Sequence, residues 1–286
     1  MKATLIVCTR NRASRLGTFL SYLDAVDFSD AELIFVNNGS EDDTDMVLRQ
    51  WTQGKPWAHI LFEPQKGLGT ARNTGWKQAT GEIIVFTDDD CYAAPDYIQQ
   101  HIRLYEASSA LGWISGRILL HDPLDAKITI QENTHTVAYP ASRFLQAGSV
   151  HGANISFRKT ALERIGGFDP LMGVGSLFPC EDIDAAARAC FQGFEGLYSP
   201  KPVVQHHHRR QTPQEVNALE CLYSLGRGSY YGKCLTTPGM RKLYLRGIAG
   251  KWRHQPLHEV CSEIKAMWNW WRITRSRANL PPPQAI

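Results

Sequence analysis

The stretch that most restricts the fold is residues 81–92, Gly-Glu-Ile-Ile-Val-Phe-Thr-Asp-Asp-Asp-Cys-Tyr. Four apolar residues, Ile83, Ile84, Val85 and Phe86, are cut off by Asp88, Asp89 and Asp90. An unbroken β-branched and aromatic run of this length suits a strand covered on both faces, as in a parallel sheet flanked by helices. Three carboxylates at its end repel one another unless positive charge lies among them. Open α/β sheets bind ligands beyond the carboxyl ends of their strands, and oxygen donors favour Mg²⁺ or Mn²⁺ over zinc. A metal–diphosphate site is one reading of the triplet. An acidic turn capping the next helix is the other.

The preceding sequence builds the same picture. Residues 3–8 read as a strand ending in Thr9-Arg10-Asn11-Arg12, with Ser14 as cap of a helix to Leu23. Residues 32–36 read as a second strand, followed by Asn37-Asn38-Gly39-Ser40. The acidic patch 41–45 suits the positive end of a helix running toward Trp51. Residues 60–62 read as a third strand, and Lys66-Gly67-Leu68-Gly69-Thr70 leads into a helix over 71–79. This alternation predicts a parallel sheet with crossover helices.

Further on, 97–106 reads as a helix and 113–120 as a strand. Residues 122–143 lack a clean period and are expected as a loop able to move over a cleft. Residues 152–157 read as a strand, 161–165 as a short helix, Gly166-Gly167-Phe168-Asp169 as a turn and 181–192 as a helix. Pro200-Lys201-Pro202-Val203-Val204 then leads to His206, His207 and His208. On this reading residues 1–210 form one domain. Residues 211–286 form a helical, basic, Trp-rich extension ending in Pro281-Pro282-Pro283, expected to be disordered.

Composition removes several function classes. A net charge of +3 is too small to point to nucleic acid. No apolar run reaches membrane-spanning length, and residues 1–10 lack the regions of a signal peptide. The seven cysteines are scattered without a Cys-x-x-Cys pair, which supports neither a disulfide framework nor a zinc ribbon and fits a reducing cytoplasm. Trp268, Trp270, Trp271 and Ile273 among Lys265, Arg272 and Arg275 suit an amphipathic helix on an anionic membrane. They equally suit a helix packed on the catalytic domain, the preferred reading because tryptophan finds a nearby core.

Six blocks carry a resemblance: Val7-Cys8-Thr9-Arg10-Asn11, Val36-Asn37-Asn38-Gly39-Ser40, Gly67-Leu68-Gly69 with Arg72-Asn73, Thr87-Asp88-Asp89-Asp90, Gly166-Gly167-Phe168-Asp169 and Glu181-Asp182. In this order they make residues 3–210 resemble the family 2 glycosyltransferases. The resemblance implies the GT-A fold, an α/β Rossmann-like and mostly parallel sheet flanked by helices. It also implies inverting transfer of a sugar from a nucleotide-sugar to a hydroxyl of a glycan or lipid-linked acceptor, with Mn²⁺ or Mg²⁺.

The same resemblance implies roles. Asp90 holds the metal, while Asp88 and Asp89 meet the ribose or sugar. Asp182 is the base, with Glu181 an orienting or acceptor-side neighbour. An inverting displacement needs a carboxylate beside the acceptor hydroxyl to take its proton, although acidic residues at a helix start are also routine. Cys8, Thr9, Arg10, Asn37 and Asn38 would hold the nucleotide. Many relatives carry Asp where this chain has Asn37 or Asn38, which leaves the base open, and both amides could serve only a turn. Lys66, Gly69 and Arg72 would lie over the donor, where glycines let amides approach phosphate. His206 is favoured as a metal ligand among the three histidines, and 206 and 208 share one face of an extended segment. His151 and Asn154 fall on the acceptor side, or belong to an ordinary strand. Two rivals remain at this level, an inactive sugar- or nucleotide-binding module and a phosphotransfer or phosphatase enzyme using the Asp cluster.

Overall fold

The computed structural model describes residues 1–278. Its first half alternates β1 (Ala3–Thr9), α1 (Ala13–Leu23), β2 (Ala31–Asn37), α2 (Thr44–Thr52), β3 (Ala58–Phe62), α3 (Leu68–Gln78) and β4 (Ile83–Asp88). Then come β5 (Cys91–Ala93), α4 (Tyr97–Ala107), β6 (Leu111–Leu120), β7 (Val137–Tyr139), β8 (Asn154–Arg158), α5 (Lys159–Ile165), α6 (Glu181–Phe191) and β9 (Glu195–His206). Three helices follow, α7 (Pro213–Thr236), α8 (Arg241–Trp252) and α9 (Leu257–Ala278). The triple proline at 281–283, expected to be disordered, lies outside the described residues.

The strands form one sheet in the order β3-β2-β1-β4-β8-β6-β9-β5, with β7 also on β9. Strands β3, β2, β1 and β4 are parallel, and so are β6 and β9; β8, β5 and β7 run against their neighbours. Register does the positional work. Cys8 pairs with Asp88 and Thr9 with Asn37, so three parallel strands end at one level. Asn154 pairs with Thr87, and His206 with Cys91. That last pairing alone brings a residue 115 positions downstream beside the aspartate triplet.

Each sheet face buries a separate apolar cluster. Leu5, Val7, Phe19, Phe35 and Tyr97 belong to the one under α1 and α4. Ile6, Phe86, Trp113 and Phe157 belong to the other, which also takes in Tyr230, Tyr231, Tyr244 and Trp270 from the C-terminal helices. Helices α7 and α9 cross closely at Gly228, where a Cβ would stand 2.4 Å from the Glu263 carbonyl oxygen. The fully buried Glu263 carboxylate accepts from Arg227 Nε (3.0 Å), Lys251 Nζ (2.7 Å) and Trp252 Nε1 (3.0 Å), so one residue ties α7, α8 and α9 together. From α7, Lys233 Nζ reaches Asp169 (2.7 Å) and Asp184 (2.8 Å) in the body of the protein.

Three local expectations change, and one long strand is added. Ser14 does not cap α1. The helix begins at Ala13, whose amide donates to Asp42 Oδ2 (3.1 Å), while Arg12 N donates to Thr44 Oγ1 (2.8 Å). The cap is thus supplied by a different loop, which a local reading cannot see. Helix α3 starts at Leu68 and absorbs Gly69 into its first turn. Strand β9 runs from Glu195 to His206 and takes in Pro200 and Pro202. Residues 122–143 include β7 and are anchored by buried Asp125, whose carboxylate accepts from the Arg209 amide at 2.8 Å.

Candidate functional site

Asp88, Asp89 and Asp90 leave the end of β4 in different directions. Asp89 turns inward: its Oδ2 accepts from Thr9 Oγ1 (2.5 Å) and its Oδ1 faces Arg12 Nε (3.3 Å). Burial raises its pKa to about 7 against the pull of Arg12. Thr9 is buried and spent on this bond. Asp90 faces His206, with Nε2 3.5 Å from Oδ1. Burial pushes the Asp90 carboxyl upward, but His206, Arg12 and Arg210 overcome it and hold it below the usual carboxylate range. Asp90, Cys91 and His206 bring ligand atoms within 4.8 Å of one another. Burial drives the Cys91 thiol well above its ordinary pKa, and its soft sulfur suits Mn²⁺ or Mg²⁺ less than oxygen donors do.

The His206 ring is oriented by a residue that the sequence does not single out. Thr129 Oγ1 donates to the Ile128 carbonyl (2.6 Å) and lies 3.1 Å from His206 Nδ1. The ring is thus held between Thr129 at Nδ1 and Asp90 at Nε2; burial lowers the imidazole, but the hydrogen bond and charge of Asp90 outweigh it and raise the group above its ordinary range. A carboxylate and a correctly turned imidazole form a donor set that suits Mn²⁺ or Mg²⁺. His208 lies on the His206 side (ring centroids 5.1 Å apart), but its Nε2 donates to the Ala126 carbonyl, 2.9 Å away. His207 turns to the Tyr92 hydroxyl at 3.0 Å.

Asp182 sits in the first turn of α6, half-buried, with Oδ2 accepting from the Gly152 amide (2.6 Å) and Oδ1 from the Ile183 amide (2.8 Å). Its neighbour Glu181 is buried, and burial raises its carboxyl to about 7 although Arg72 pulls it down. His151 lies beside Asp182; burial holds its imidazole below the usual range against the attraction of that carboxylate. From α7, Tyr223 reaches the same region: burial pushes its phenol up, Arg210 opposes, and Asp182 and Asp88 add to the rise.

Arg72 joins the two acidic groups. Its guanidinium is 2% exposed, 2.9 Å from Glu181 and 3.5 Å from Asp88, and it donates to the Gly152 carbonyl at 3.1 Å. It also lies 5.5 Å from the ring centroids of both Phe86 and Phe168. Nη1 has no aligned hydrogen bond despite its 2.9 Å approach to Glu181, so charge and proximity hold that pair rather than a directed bond. The helix α3 arginine expected over the donor is therefore a buried brace. It clamps the end of β4 to the start of α6.

Other expected residues also turn out to be occupied. Asn38 donates to the Glu63 and Gln65 carbonyls (3.0 and 2.7 Å) and accepts from the Gly67 amide (3.0 Å), leaving no amide face to read a base. Asn37 accepts from Ser40 N (3.0 Å) and donates to Asp45 (3.4 Å). Gly69 is required by packing, since a Cβ there would meet the Met172 and Asp169 carbonyls at 2.5 and 2.7 Å. Asn154 is fully buried, donates to the Arg117 and Pro202 carbonyls (2.9 and 3.1 Å) and accepts from Tyr97 Oη (3.1 Å), so it is not an acceptor wall. Cys8 has its thiol pushed up to about 12 by burial. Lys66 remains exposed beside Glu41 (3.4 Å), as does Arg10 in part (3.6 Å).

Comparison with known proteins bears on this geometry. The family model "Glycosyl transferase family 2" matches residues 4–166. The glycosyltransferase alr2836 of Nostoc sp. is 27% identical over 179 residues, 60% of this chain and 55% of that protein. The chain spans about half the length, or less, of the curated relatives it matches. Mannosyltransferase PcManGT from Pyrobaculum calidifontis, solved with GDP-Man and Mn²⁺, superposes with a TM-score of 0.65 at 20% identity, covering 99% of this chain and 76% of that one. S. aureus TarS 1–349 with UDP-GlcNAc gives 0.62 at 16% identity over 94% and 80%. At these identities the structural likeness shows the fold alone.

Proposed function

Since the chain belongs to glycosyltransferase family 2, we propose that it transfers a sugar from a nucleoside-diphosphate donor, with inversion, to the hydroxyl of a glycan or lipid-linked acceptor in glycan biosynthesis. The observation that carries this reading is the Arg72 brace. It holds Asp88 at 3.5 Å and Glu181 at 2.9 Å from one guanidinium, so the donor-side carboxylates and the α6 carboxylates face one site.

The roles follow from what each group has free. Asp90 and His206 would hold Mn²⁺ or Mg²⁺, which supplies Lewis-acid neutralisation of the leaving diphosphate when bound. Asp88, at 35% side-chain exposure, keeps an oxygen for the donor. Asp89 positions the loop through Thr9 and Arg12. Lys66 and Arg10 offer positive charge at the rim. Asp182 takes the acceptor proton; the Gly152 and Ile183 amides orient its carboxylate. His151 and Glu181 line that side.

The test is Asp182→Asn, assayed with Mn²⁺ on a panel of UDP-, GDP- and dTDP-sugars. Donor-induced thermal stabilisation persists, while donor turnover falls at least about a hundredfold, the usual share of a general base. Wild-type turnover in this variant removes Asp182 as the base.

A further inference from the structure

Helix α9 has two apolar faces. The inner one is accounted for: Ala266 and Trp270 are buried against α7 and the body, with the Trp270 ring 5.0 Å from that of Phe178. The outer one is not. Positions 257, 261, 264, 268, 271 and 275 step by four and three residues, which keeps them on one side of a helix. Leu257 is 81% exposed, Ile264 46% and Trp268 59%, and Cys261 is also exposed. Trp268 and Trp271 stack on each other (4.8 Å), and the Arg275 guanidinium lies 4.4 Å above the Trp271 ring.

The charges beside this stripe are all of one sign. Lys265 and Arg272 follow Ile264 and Trp271 in the chain and border it. The acids of α9, Glu259 and Glu263, turn the other way, toward Arg227 and Lys251. We propose that the outer face of α9 docks on the surface of an anionic phospholipid bilayer. An in-plane helix with exposed tryptophan and leucine flanked by lysine and arginine is the geometry that such a surface binds. A second copy of this chain fits less well, because pairing two such faces brings Lys265 and Arg272 toward their equivalents with no acid left to answer them. The surface stands apart from the transfer reading: it uses no residue of the candidate active site.

The experiment is co-sedimentation of the full chain with vesicles of phosphatidylcholine alone or mixed with phosphatidylglycerol. Binding to the anionic vesicles that falls as salt rises is the expected result. Neutralising two charges, Lys265→Gln with Arg272→Gln, weakens it roughly thirtyfold. Leu257→Ser with Trp268→Ser abolishes it, while melting temperature and donor-induced stabilisation stay as in the parent because these side chains lie outside the packed core. Absence of binding, equal binding to both vesicle types, or indifference to all four substitutions overturns the proposal. So does a dimer in sedimentation velocity that the same substitutions dissolve without any vesicle binding.

Discussion

Replacing Arg72 with methionine tests the central brace. The substitution keeps an apolar side chain in this space and removes the guanidinium, with its charge, its packing near Phe86 and Phe168 and its hydrogen bond to the Gly152 carbonyl. Glu181, 5% exposed, then loses the guanidinium 2.9 Å away. Deleting one partner of a buried ion pair costs about 3–5 kcal/mol. The loss should depend on pH, and the sign can be worked out. With Arg72 present, the Glu181 carboxyl is already raised from 4.5 to about 7 by burial. Between those values the folded state binds more protons than the unfolded one, so stability contributed by this group falls as pH rises through the window. Removing Arg72 takes away a lowering influence, so the folded pKa climbs further and the penalty grows above neutrality. Urea unfolding at about pH 8 should show the full loss, and at about pH 5, where Glu181 stays protonated in the fold, a clearly smaller one. Adding Glu181→Gln should recover much of the stability at the higher pH, since a neutral pair leaves no buried charge. Equal destabilisation at both pH values, with no recovery in the double variant, would show that Arg72 acts through packing alone.

Other expectations follow from single contacts. Thr129→Val keeps shape but frees His206 Nδ1, and Mn²⁺ affinity measured by calorimetry should drop about 10–100-fold; unchanged affinity removes Thr129 as the orienting group. Gly69→Ala places a methyl 2.5 Å from the Met172 carbonyl oxygen. Overpacking of about 1–3 kcal/mol should outweigh the helix-propensity gain of about 1 kcal/mol, giving a lower melting temperature and weakened donor turnover. A stabilised Gly69→Ala protein would show that the 169–172 turn yields freely.

Much of this arrangement could be read along the chain, for identifiable reasons. The strand ending in Asp88 is legible because its apolar run is continuous and the acids begin abruptly. Glu181 and Asp182 are legible as a helix start. Residues whose roles depend on distant backbone are not. Asn38 looks the same in sequence whether its amide meets a nucleotide or the carbonyls of Glu63 and Gln65, and only folding brings those carbonyls within 3.0 Å. Arg72 in a glycine-bearing segment suggests an anion; its burial between Asp88 and Glu181 requires knowing that β4 and α6 converge. The α9 pattern was ambiguous because both answers are present, Trp270 inside and Trp268 outside.

Lys233 gives the C-terminal helices a consequence for anyone dividing this protein. Its ammonium, on α7, is the shared cation of Asp169 and Asp184. Cutting the chain after residue 210 would leave those two acids facing each other without it, one of them in the turn that precedes α6 and the other within α6. A trimmed version would lose shape next to Asp182 even though every motif remained in place. By the same logic, exchanging the three C-terminal helices for others would also change the packing around the start of α6.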